Sequence, residues 1–170
     1  MQLVKIPEER VKVLLNRVED LERAGDIRIE ATAEEGVAIS SKDPIAEWKA
    51  VDVVKAIGRG FEPDIAMRLF SDEYVLRIIA LKDIFEKENQ RKRVKSRIIG
   101  TKGKTRSTIE EVSGANLRVY GNTVSMIGKP EEVDIAERAV KMIINGSSHG
   151  SVYIFLQRER KRMDASEREL

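Results

Sequence analysis

Two glycines three residues apart, in Ile98-Ile99-Gly100-Thr101-Lys102-Gly103-Lys104-Thr105, are the positions of this chain best suited to capturing a ligand. A phosphate can approach the main chain closely only where no Cβ stands in the way, and a helix starting just beyond offers free amides and the positive end of its dipole. Lys102 and Lys104 add cations where phosphates would lie. The expected chemistry is non-covalent clamping of a nucleic-acid backbone. Charge is segregated around the same loop: from Lys87 to Arg106 the chain has nine basic residues and one acid, Glu88, whereas the remainder has 22 basic and 28 acidic residues. A one-sign patch of this kind concentrates polyanions and adds salt-dependent affinity with each phosphate contacted. The residues assigned to the interface are Gly100, Thr101, Lys102, Gly103, Lys104 and Arg106, with Arg93, Lys95, Arg97 and Ile99 on the preceding helix.

Other chemistries fit less well. Gly103-Lys104-Thr105 matches the end of a nucleotide-binding loop of the form G-x-x-x-x-G-K-[ST], but the first position is Ile98, and a basic helical segment precedes it in place of a buried strand. The acidic pairs Glu19-Asp20, Glu34-Glu35, Glu110-Glu111 and Glu131-Glu132 are sequence neighbours, which on a helix point about 100° apart and so do not converge on a metal. With no cysteine and one histidine, His149, in the Gly/Ser-rich stretch 145–151, the chain offers no thiolate nucleophile or cysteine metal site. His149 is expected to be solvated. We therefore expect no cofactor, no metal and no enzymatic activity. No apolar run approaches the ~18 residues that span a bilayer, and the start Met1-Gln2-Leu3-Val4-Lys5 lacks a secretory pattern, so the expected location is cytoplasmic.

The elements that would position the loop repeat. In the first half a strand over 2–6 precedes helices over 8–15 and 18–24, the latter capped by Gly25; a hairpin follows over 26–32 and 36–40, then a helix from Pro44 to Ile57. In the second half a strand over 74–83 leads to a helix from about Glu88 to Ile98, the glycine loop, and a helix from Lys104 to Ser113 capped by Gly114. A hairpin turning at Gly121-Asn122 comes next, then a helix from Pro130 to about Asn145. The final helices share wording, Val54-Lys55-Ala56-Ile57 and Val140-Lys141-Met142-Ile143, as an internal duplication would leave. We place the domain boundary near Ser71, giving domains 1–70 and 71–170. The apolar spacing over 152–163 predicts a C-terminal helix with a basic end, frayed from about Asp164.

Strand, helix, Gly-x-x-Gly, helix, strand, strand, helix is the order of the KH RNA-binding module, and the loop resembles its Ile-Gly-x-x-Gly signature. Ile109 and Ser113-Gly114-Ala115 continue the pattern; Arg106 departs from it, standing where most KH modules carry an apolar residue. The resemblance implies an α+β fold of two tandem KH-type (βααββα) domains, each a three-stranded sheet with helices on one face, plus the C-terminal helix. Ile98 and Ile99 would then form the wall of a base-binding groove or the core beneath it.

Together with Ile6-Pro7-Glu8-Glu9-Arg10 and the run from Arg97 to Arg106, the two halves look like the pre-ribosomal KH proteins of the partner-of-Nob family, a pattern shared with a related family of pre-ribosomal proteins with two KH-like halves. This resemblance implies binding of single-stranded small-subunit rRNA near its 3′ end, and cooperation with a maturation endonuclease of the Nob type and other pre-ribosomal proteins. The alternative is a general KH adaptor in another RNA-processing complex. The first half departs from the motif: Leu15-Asn16-Arg17-Val18-Glu19 has no glycine where the loop should sit, and acids follow it. A protein-contact or scaffold role is expected there, with Arg10, Lys12 and Arg17 as the charges available to RNA by another route.

Overall fold

The computed structural model describes residues 1–32, 34 and 36–169, so the tip of the first hairpin, with Glu35 of the acidic pair at 34–35, lies partly outside the described residues. The protein is α+β, and its contacts divide it into two compact units, Met1–Leu76 and Arg77–Leu170.

The first unit runs β1 (Gln2–Val4), α1 (Glu8–Leu15), α2 (Val18–Gly25), β2 (Arg28–Thr32), β3 (Gly36–Ser40) and α3 (Pro44–Gly58), followed by the short α4 (Pro63–Ala66) and a 3-10 turn over Met67–Phe70. Its sheet order is β1-β3-β2, with β3 antiparallel to both neighbours and Ile39 facing Gln2 on one side and Ile29 on the other. Alternation puts Ile29, Val37 and Ile39 into the core, where they meet the apolar stripe of α3 (Ala50, Val53, Val54, Ile57) and Leu14 and Leu21 from the two short helices. Asp43 starts α3 by accepting from the Ile45 amide at 3.0 Å, with Pro44 at the first helical position.

One expectation is corrected here. The left-handed residue ending α2 is Asp26 (φ +52), not Gly25. Gly25 is the last helical residue, and any Cβ on it would run into the Phe70 ring. Close approach, not left-handed backbone, demands glycine there, while aspartate tolerates the cap.

The order then repeats, from β4 (Val75–Ala80), whose first two residues close the first unit, through α5 (Glu88–Ile99), α6 (Lys104–Ser113), β5 (Asn116–Tyr120), β6 (Thr123–Gly128) and α7 (Pro130–Ile144) to α8 (His149–Glu169). The order β4-β6-β5 again puts the last strand in the middle, with Leu117 opposite Met126 and Val119 opposite Val124. The strand expected over 74–83 stops at Ala80, and Leu81–Asp83 form a 3-10 turn whose Leu81 amide donates to Asn122. Gly114 (φ +86) caps α6 as expected. Glu132 caps α7 by accepting from the Lys129 amide at 2.8 Å.

The C-terminal helix differs from expectation in length. It continues unbroken to Glu169, because Arg160 pairs with Asp164 one turn on (3.4 Å) and Met163 is buried. Val152, Leu156, Glu159 and Met163 form its buried stripe, and Arg138 of α7 lies 4.7 Å from the Phe155 ring centre.

Candidate nucleic-acid interface

The glycine loop is a single 3-10 turn, Thr101–Gly103, between α5 and α6. Three of its residues have positive φ: Gly100 (φ +75, ψ 173), Lys102 (φ +55, ψ 28) and Gly103 (φ +74, ψ 16). The Gly103 amide closes the turn on the Gly100 carbonyl at 3.1 Å. The two glycines serve different ends. A Cβ on Gly100 would lie 2.8 Å from the Thr105 amide nitrogen and closer still to its hydroxyl, whereas a Cβ on Gly103 would meet nothing within 4 Å. Gly100 lets α5 and α6 pack; Gly103 keeps the outer surface of the turn bare.

Lys102 holds a left-handed conformation that costs a non-glycine residue roughly 1–2 kcal/mol, a strain that persists only where the surrounding structure over-determines the backbone. Its ammonium and that of Lys104 are exposed, with no hydrogen bond or ion pair among the described residues. Beyond them, α6 begins at Gly103 with no capping side chain and no acid in its first turn, so the positive end of the helix is uncompensated. Exposed lysines, a bare turn and an uncapped helix start are an arrangement with the chemistry to accept an anionic backbone.

The other predicted residues divide. Thr101 is exposed on the turn, Arg93 is exposed and unpaired among the described residues, and Ile99 is 36% exposed beside the loop while Ile98 is fully buried. Lys95 instead donates to the Gly121 carbonyl at 3.0 Å, fastening α5 to the β5–β6 turn. Arg97 donates to the carbonyls of Ile143 (3.2 Å) and Ser147 (2.5 Å), at the C-terminal end of α7 where a cation is favoured. Arg106 lies half-buried against Glu110, its buried Nε 3.5 Å from the carboxylate in an ion pair without hydrogen-bond geometry; Arg118 reaches the same oxygen at 3.5 Å. Lys95, Arg97 and Arg106 are thus engaged within the fold, and Thr101, Lys102, Lys104 and Arg93 face solvent.

Sequence reasoning missed the support beneath the loop. Thr105 is 2% exposed, and its hydroxyl lies 3.2 Å from that of Tyr153 on α8. His149 is not a solvated loop residue: it opens α8, sits 2.9 Å from the Arg97 carbonyl through Nε2, and stacks on Tyr153 with ring centres 6.3 Å apart. The start of α8 therefore braces both α5 and α6 next to the turn. No pattern links Thr105 with Tyr153, 48 positions away. Tyr153→Phe should lower stability by about 1 kcal/mol, the net value of one lost hydrogen bond, with the aromatic packing kept; chemical denaturation of the full chain measures it.

The corresponding junction of the first unit is closed. Only Asn16 and Arg17 separate α1 from α2, and neither has positive φ. Arg17 donates to Asp20 at 2.6 Å and to Asp64 at 2.7 Å, and its guanidinium holds the Asp64 carboxyl below the usual carboxylate range. Arg10 is spent on the Ile57 and Phe61 carbonyls. Of the three cations noted in that half, Lys12 alone is exposed.

Several known proteins are similar to this chain. Residues 75–161 match the eukaryotic-type KH domain (KH-domain type I), in the form of the second KH domain of Pno1. A KH domain-containing protein of Methanocaldococcus jannaschii is 44% identical over the whole of this chain and 78% of its own length. The pre-rRNA-processing protein pno1 of Aspergillus fumigatus is 33% identical over 71% of this chain, a match that spans only 49% of the fungal protein. Among solved structures, Dim2p of Pyrococcus horikoshii, in a complex with a/eIF2alpha and rRNA, is 44% identical with a TM-score of 0.86, covering 95% of this chain and 94% of that one.

Proposed function

Since this chain belongs to the Pno1-type KH family of pre-rRNA-processing proteins, we propose that it holds single-stranded small-subunit rRNA near the 3′ end in the glycine loop of its second unit and assists maturation of that end. The observation that carries the reading is the turn itself: a strained Lys102 between two positive-φ glycines, its ammonium free, ahead of an uncapped helix. In a KH module such a turn holds the backbone of about four nucleotides. The matching element order and strand order of the two units support reading them as tandem KH domains, with domain 1 at 1–70 and domain 2 at 71–170. Gly100, Thr101, Lys102, Gly103 and Lys104 form the clamp, Arg93 extends it along α5, and Ile99 lies where a base would rest.

The closed Arg17 junction supports a scaffold role for the first unit, as the surface for protein partners such as a Nob-type endonuclease. No chemical step is assigned to the chain. Thr105, the residue that a nucleotide-hydrolysing loop would turn toward magnesium, is buried against Tyr153, and no group of three or more acidic, histidine or cysteine residues among those described could hold a metal ion. No helix among the described residues is long and apolar enough to cross a membrane, and the proposed setting is the cytoplasm.

A fluorescence titration of the full chain with RNA ending in the small-subunit 3′ sequence, a scrambled RNA and duplex DNA, at about 50 and 200 mM salt, tests the reading. The 3′ sequence should bind at least tenfold more tightly than either competitor. Equal affinity for both RNAs would leave a general KH adaptor, and preference for the duplex would overturn the reading.

A further inference from the structure

The outer face of α8 forms a shallow concavity of about 440 Å³ lined by Tyr153, Ile154, Gln157, Arg158 and Lys161. We infer that this face is a second RNA track, taking nucleotides that run off the glycine loop, an inference that rests on the clamp proposed above. Three observations support it. The concavity begins at the residue that braces the loop, since Tyr153 both lines it and bonds Thr105 beneath the turn. Its cations are uncommitted: Arg160 pairs with Asp164 and Arg162 with Glu159, whereas Arg158 and Lys161 are exposed with no ion pair among the described residues, and no acid lines the concavity. Its floor is apolar, with Ile154 64% exposed on an otherwise polar helix surface and the half-buried Tyr153 ring beside it.

A cationic rim over an apolar and aromatic floor is how sequence-tolerant single-strand sites are built: phosphates pair with the rim while bases rest on the floor. From Tyr153 to Lys161 the helix advances about 12 Å, room for roughly two or three nucleotides. An acidic protein segment would find the same charges, but the apolar and aromatic floor and the Tyr153 brace shared with the loop favour the nucleic acid.

The test compares RNAs of about five and about ten nucleotides, both ending in the clamp-binding sequence, on full-length native chain, on Arg158→Glu/Lys161→Glu, and on Thr101→Asp/Lys102→Asp. The α8 variant should bind the longer RNA about fivefold more weakly, with a salt slope shallower by about 1.4 for two lost phosphate contacts on a single strand, and the shorter RNA within twofold. The loop variant should weaken both RNAs. If the α8 variant binds both RNAs as the native chain does while the loop variant weakens both, the track is overturned and the clamp stands. If the α8 variant weakens both RNAs equally with circular dichroism unchanged, α8 acts through the loop and the track is again overturned. If the loop variant changes neither RNA while the α8 variant weakens the longer one, the clamp reading fails and α8 stands as an RNA surface on its own.

Discussion

Thr101→Asp/Lys102→Asp is expected to weaken single-stranded RNA binding at least tenfold, about 1.4 kcal/mol or more, with circular dichroism and melting temperature unchanged. The reason is local. Both side chains are exposed on the turn, so neither substitution opens a cavity. Lys102 has φ +55, a conformation that aspartate tolerates better than lysine, so the fold loses nothing there. What changes is the field: one cation disappears and two carboxylates enter the site where phosphates must approach. Unchanged binding with the fold intact would mean that the loop is not the clamp.

The second large effect separates the glycines. Gly100→Ala should destabilise the second unit by about 3 kcal/mol and Gly103→Ala by about 1 kcal/mol. At Gly100 the backbone (φ +75, ψ 173) lies in a region essentially reserved for glycine, and the new methyl would press on Thr105, which is in turn held by Tyr153. At Gly103 the cost is the left-handed backbone alone, since the Cβ points into open space. In a unit of this size the difference should appear in calorimetry of the full chain as a melting temperature lower by about 10 °C or more for the first variant and about 5 °C for the second. Equal shifts would show that the packing of Thr105 under Gly100 does not matter.

Much of this architecture was legible in the chain because its signals are local. Apolar residues alternating at 117 and 119, or recurring along 133, 136, 140 and 143, mark strand and helix within one window, and proline at 44 and 130 marks helix starts. The glycine pair was legible for the same reason. What escaped depends on contacts across the fold. That Arg97 and Lys95 reach the carbonyls at 143, 147 and 121 leaves no sign in the sequence. His149 read as a loop residue because the Gly/Ser-rich stretch hides the start of α8, set by burial of Val152 and Leu156. Gly25 read as a cap because glycine has two uses, a positive φ and a thin profile, and only the approach of Phe70 tells them apart.

The turn over Thr101–Gly103 is held before any ligand arrives: one hydrogen bond closes it, two helices grip its ends and Tyr153 supports it from below. Little ordering remains for encounter to complete, so association should run at the speed of charge-steered diffusion and slow steeply as salt rises. Differences among RNA sequences would then be written in residence time. Under the proposed function, the release rate then becomes the tunable quantity.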